Sequence, residues 1–126
     1  MNNGSEKRHF SRINFEARAE LPDGDSWQIA RLLDISLKGA LIAEPEGWSA
    51  DLDSLMTIRL FLHSETSEDP DLKIKARLAH REGGHAGFCW EEIELDDFTE
   101  LRRLLELNLG SEELLLRELT ALIQAD

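Results

Sequence analysis

Cysteine is almost absent: Cys89 is the single one in 126 residues. That excludes an internal disulfide framework and fits a reducing compartment. Positive charge is scarce as well, with 14 Lys and Arg against 26 Asp and Glu and a formal net charge of −12. This is the wrong sign for a general DNA or RNA binder, whose usual footprint is basic. No run of 18 apolar residues is present, so no transmembrane helix and no membrane insertion are expected. No charged, then apolar, then small-residue pattern opens the chain, so the expected location is cytoplasmic.

The signatures of catalysis are missing too. HExxH, paired CxxC, GxSxG, Walker A and GxGxxG do not occur. The four histidines, His9, His63, His80 and His85, have no metal-site spacing. His85 and Cys89 would share one strand face, yet about 13 Å apart. The many carboxylates fall in loops and on helix faces and form no acid–base pair. The expectation is a protein that is not an enzyme and uses no cofactor or metal.

What is present is enough for one domain: 41% of the residues are hydrophobic. Residues 1–40 balance six basic against six acidic residues, so the whole excess of negative charge lies beyond them. Lys7, Arg8 and Arg12 face only Glu6 in the first twelve residues. Such a run is either a solvated basic tail or a local anion site.

Period-2 alternation marks the strands. Phe15–Leu21 sets Phe15, Ala17, Ala19 and Leu21 against Glu16, Arg18 and Glu20. Pro22–Asp25 is a turn, and Trp27–Ile35 is a second strand. After Asp34–Gly39 interrupts, Ala40–Ala43 resumes. Leu55–Leu62 alternates, as does Leu72–Arg81, and Gly83-Gly84 turns the chain into His85–Glu91. Helical spacing follows. Asp97 with Glu100 resembles a capping box, and Phe98, Leu101, Leu104, Leu105 and Leu109 form a stripe. Gly110 and Ser111 end that helix and cap a second, with Leu115, Leu119, Leu122 and Ile123 on one face. About six short strands followed by two helices predict a mainly β protein, a small antiparallel barrel with appended helices.

Two local patterns stand out: Arg8 and Arg12 as RxxxR, and Asp34, Ser36 and Gly39 as DxSxxG, about 20 residues on. Singly, each has an ordinary explanation. The arginines could pair with Glu6 or Glu16, Asp34 and Ser36 could close a turn, and Gly39 could hold positive φ. In this order and spacing they resemble the two motifs of the PilZ domain, the bacterial receptor module for cyclic di-GMP. Gly87-Phe88 in a late strand and the helical segment Leu101–Asn108 extend the resemblance over nearly the whole chain.

The resemblance implies a six-stranded antiparallel PilZ-like β-barrel with C-terminal α-helices. Residues 1–13 would be a switch segment, 14–95 the barrel and 96–126 the helices. It also implies cyclic di-GMP as ligand, held by Lys7, Arg8, His9, Arg12, Asp34, Ser36, Gly39 and His80. The chemistry fits: arginine forks match phosphate oxygens and guanine O6/N7, and stack on base faces. Asp34 could accept guanine N1–H and N2–H, and Ser36 could donate or accept. Lys7 stands where some members carry arginine, and lysine lacks the flat fork. His80 stands where some carry a larger aromatic, and reads equally as a half-exposed strand histidine. A monomer that takes a stacked ligand pair, orders its N-terminal segment and signals to a protein partner is expected. The alternative is an interaction module that binds no nucleotide.

Overall fold

The computed structural model describes residues 12–64, 66–109 and 112–124. Six antiparallel strands run in chain order: β1 (Ile13–Asp23), β2 (Ser26–Ile35), β3 (Gly39–Ala43), β4 (Leu55–Phe61), β5 (Leu72–Glu82) and β6 (His85–Glu92). They close as β1-β2-β3-β6-β5-β4, with β4 returning to β1. Closure pairs every strand on both sides and removes the exposed edge of an open sheet. Two helices follow, α1 (Leu95–Leu109) and α2 (Glu112–Gln124).

Alternating apolar positions fill the barrel. Leu72, Ile74, Ala76 and Leu78 of β5 are fully buried, as are Ile58 and Leu60 of β4 and Ala19 and Leu21 of β1. Leu101 and Leu105 of α1 are buried with them, and the helix packs on β5 and β1. Gly83 and Gly84 both have positive φ (59° and 82°), as a two-residue hairpin between β5 and β6 requires.

The structure moves several sequence expectations. α1 begins at Leu95, two residues before the expected cap. Phe98 N–H donates to the Glu94 carbonyl, so the first turn already closes there and Asp97 lies inside it. Gly110 and Ser111 lie outside the described residues, as does the side chain of Leu115. Leu119 and Leu122 of α2 pack against the core, whereas Ile123 faces solvent. On β4, Phe61 sits at an outward position and is nevertheless buried, because arginines cover it.

The loop between β3 and β4 is clasped to the barrel. Trp48 is buried, and its indole N–H donates to the Pro22 carbonyl at 3.0 Å. Arg81 grips Glu44 through two bonds of 2.7 and 2.8 Å and also reaches Ser49 and the Ala50 carbonyl.

Candidate functional site

Cross-strand register explains how residues far apart in sequence come together. Asn14 pairs with Asp34, Asp34 with Leu41, Leu41 with Gly87, and Gly87 with His80, a single row over β1, β2, β3, β6 and β5. The neighbouring row, Ile13, Ile35, Ala40, Phe88 and Leu78, is buried in the core. Paired residues share a face and adjacent rows alternate. Asp34 and His80 therefore lie on the outer face of the barrel.

Bulges create that alignment. Leu32 pairs with Ile42 and Asp34 with Leu41, so β2 carries one extra residue, Leu33. Leu78 pairs with Phe88 and His80 with Gly87, so β5 carries Ala79 as an extra. β1 is irregular between Asn14 and Ala17. By strict alternation Asp34 would follow Ala30 and Leu32 inward, and His80 would follow Leu78. Each bulge re-aims the side chain outward, as bulges beside functional sites commonly do.

Beside this row lies a cavity of about 520 Å³, lined by Arg12, Ser36, Lys38, Gly39, His80 and Phe88 among others. The volume is in the range of about 300–1,000 Å³ typical of small-molecule sites. Cys89 also borders it.

The Ser36–Gly39 turn forms one wall. Ser36 N–H donates to the Gly39 carbonyl at 2.8 Å, and Ser36 Oγ accepts from Lys38 N–H and Gly39 N–H at 3.1 and 3.2 Å. Trp90 bolts the turn down: its indole N–H donates to the Ser36 carbonyl (3.2 Å) and its backbone N–H to the Lys38 carbonyl (2.8 Å). Ser36 thus spends its acceptor capacity on the turn. What it has left for a ligand is its hydroxyl hydrogen, held only by a long 3.4 Å contact to the Gly39 carbonyl.

Gly39 is needed for closeness, not for positive φ. A Cβ there would stand 1.9 Å from the Phe88 carbonyl oxygen, while its backbone is not among the left-handed positions. Gly87 is needed for His80, since a Cβ there would meet the imidazole at 2.1 Å. The ring lies over Gly87, and both residues line the cavity.

Asp34 is under-satisfied. Its Oδ2 is 3.7 Å from an Arg12 guanidinium nitrogen, with the two side chains 14% and 60% exposed respectively. That is longer than the about 2.7–2.9 Å of a charge-assisted hydrogen bond. Asp34 Oδ1 is buried and has no hydrogen-bond partner among the described residues. A buried acceptor left so costs about 1–3 kcal/mol, which a donor-bearing ligand would recover.

Of the expected site residues, Arg12, Asp34, Ser36, Gly39 and His80 are thus brought to one face. Lys7, Arg8 and His9 lie outside the described residues. The sequence reading passed over Lys38, although it stands within the DxSxxG run. Trp90 and Cys89, which read from sequence as core or surface residues, enter the site through the pairing of β3 with β6. Among the described residues, no three His, Cys, Asp or Glu side chains gather where a metal could be held.

Residues 6–107 match the family model described as PilZ domain. Among solved structures, the Bacillus subtilis inhibitor of motility (MotI/DgrA) is similar, with a TM-score of 0.65 at 12% identity over 82% of this chain and 52% of that one. The chain therefore spans about half the length of that protein. The PilZ domain of CeSA from a cellulose-synthesizing bacterium gives a TM-score of 0.53 at 20% identity, covering 79% of this chain and 96% of that one. At these identities the likeness is one of fold.

Proposed function

Because the chain belongs to the PilZ domain family, whose members are non-catalytic receptor or adaptor modules, we propose that it is a receptor for cyclic di-GMP. The observation that carries this reading is Asp34: a half-buried carboxylate with one buried, under-partnered oxygen, paired loosely with Arg12, which lines the cavity together with Ser36 and Gly39. Guanine offers N1–H and N2–H, the paired donors such an acceptor lacks. Arg12 and Arg8 serve the phosphates and the guanine Hoogsteen edge. Lys38 adds charge at the lip, and His80, resting on Gly87, offers a face to a base. Ser36 and Gly39 act mainly by holding the turn that brings these groups together.

On binding, Arg12 leaves Asp34 for a phosphate and Asp34 takes the guanine edge. Lys7, Arg8 and His9 are drawn to the same anion, so residues 1–13 act as the switch that presents a new surface to a protein partner, with the barrel spanning 14–95 and the helices 96–126. The basic run has more charge than one ligand's two phosphates require, which favours a stacked pair of ligands on a monomeric, cytoplasmic protein.

Calorimetric titration with cyclic di-GMP tests the reading and returns stoichiometry in the same measurement. Absence of heat and of any competing signal would leave the interaction module that binds no nucleotide. An endpoint of one ligand per chain would remove the stacked pair and keep the receptor. Equal hydrogen exchange of residues 1–12 with and without ligand would remove the switch.

A further inference from the structure

Further along the same strands, over β2, β1, β4 and β5, the barrel carries a layer that the nucleotide reading does not use. Ile29, Glu20, Arg59 and Lys73 form one outward row, and Arg31, Arg18 and Phe61 form the next. Glu20 is only 6% exposed, between the Arg18 and Arg59 guanidinium groups. Both guanidinium groups lie on the Phe61 ring, at 4.3 and 5.8 Å, and Arg59 also lies on Trp27, at 4.7 Å. Beside this rigid layer stand two exposed apolar side chains, Trp27 (40%) and Ile29 (64%).

We propose that this face docks an acidic surface of a partner protein, one that presents an apolar side chain among carboxylates. Three features point there. Arg18, Arg31, Arg59 and Lys73 face Glu20, Glu16 (paired with Arg31) and Asp97 (beside Lys73), a locally positive balance in a chain whose net charge is −12. The face thus attracts what most of the surface repels. The guanidinium groups are held flat by stacking and by Glu20, so little side-chain entropy is lost when they meet a carboxylate. Trp and Arg beside an exposed aliphatic group is the composition of an interface hot spot. Closure of the barrel denies a partner strand an edge, so contact is through side chains.

This goes beyond the proposed function: it is a preformed face distinct from the surface that residues 1–13 would present. It does not depend on nucleotide occupancy. The probe is a fluorescein-labelled 15-residue amphipathic peptide with Leu at helical spacing and Glu elsewhere. A twin peptide with Lys for Glu and phosphatidylglycerol vesicles serve as rivals. The acidic peptide should bind the wild-type protein, weaken with added salt, and lose about tenfold in affinity with Arg59→Glu. Removing Arg59 from Glu20 could disturb folding, so Ile29→Glu, at an exposed position opposite Glu20 in the same row, must give a similar loss with an unfolding curve like wild type. Failure of the acidic peptide to bind, equal binding of the lysine twin, indifference to Ile29→Glu, or binding to vesicles in place of the peptide would each overturn the proposal. Cyclic di-GMP titration of Ile29→Glu should match wild type, which separates failure here from failure of the receptor reading.

Discussion

Two carboxylates on adjacent strands of one barrel, Glu20 of β1 and Asp34 of β2, meet arginine in different ways. Glu20 is buried between two guanidinium groups that are themselves stacked on aromatic rings. Asp34 faces one mostly exposed arginine at 3.7 Å and keeps a buried oxygen without a partner among the described residues. Both are carboxylates facing arginine. The difference lies in what surrounds the pair: Phe61 and Trp27 hold the cations at Glu20, and among the described residues no ring holds Arg12. A carboxylate satisfied within the protein serves structure, and one left short of donors is poised for a ligand.

The largest effect that would break this contrast belongs to Glu20→Ala. It leaves Arg18 and Arg59 packed without their shared anion and should cost about 3–5 kcal/mol in urea unfolding. Asp34→Ala should stay within about 1 kcal/mol of wild type, because losing a weak exposed pair is offset by removing an unpartnered buried oxygen. Comparable stability losses in the two variants would erase the distinction between the sites.

Next in size is ligand affinity. Arg12→Ala and Asp34→Ala should each weaken cyclic di-GMP about ten- to a hundredfold in calorimetry, with Arg12→Ala folding normally since its side chain is 60% exposed. Wild-type affinity in both variants would place the ligand elsewhere.

The two glycines of the site sharpen the comparison further. Gly39→Ala pushes a methyl group into the Phe88 carbonyl, which is backbone, so the β3–β6 pairing must shift and stability and binding should fall together. Gly87→Ala meets the His80 ring, a side chain that can turn away, so its melting temperature should change less than that of Gly39→Ala while binding changes. Equal melting points would contradict this division.

The smallest effect is a pH dependence at the loop clasp. The hydrogen bond from Arg81, aided by its charge, holds Glu44 below its ordinary pKa of 4.5 despite partial burial. A depressed carboxylate pKa means the unfolded chain binds more protons. The clasp therefore adds stability above about pH 4.5 and loses it as pH falls through the folded-state value. Asp97 works in the opposite sense, its pKa raised chiefly by burial and then by the neighbouring Glu94. The diagnostic is thus the difference between proteins: Arg81→Leu should be less stable than wild type at neutral pH, with the gap narrowing on acidification. A gap constant from pH 7 to pH 3 would show that Arg81 acts through packing alone.

Much of the barrel was legible because period-2 alternation is a local signal. Leu72, Ile74, Ala76 and Leu78 read as one inward face and are fully buried. Gly83-Gly84 read as a tight turn and is one. Alternation failed where neighbouring strands impose an extra residue. His80 shares parity with Leu78 and still faces outward, because β5 bulges at Ala79 against β6. Phe61 shares parity with Arg59 and is still buried, because Arg18 arrives from another strand to cover it.

The sequence by itself determined the inward positions of the strands, the helical stripe of α1, the excess of negative charge and the identity of the motif residues Arg12, Asp34, Ser36 and Gly39. These follow from side-chain chemistry and from spacing along the chain. Tertiary structure alone decided what each motif residue does. Gly39 is required by a carbonyl of β6, Ser36 is spent on a turn that Trp90 anchors, and Asp34 is left with an unpartnered oxygen while Glu20 has two arginines. The reason is physical: satisfaction of a buried polar group depends on donors brought by register from distant segments, and bulges set that register.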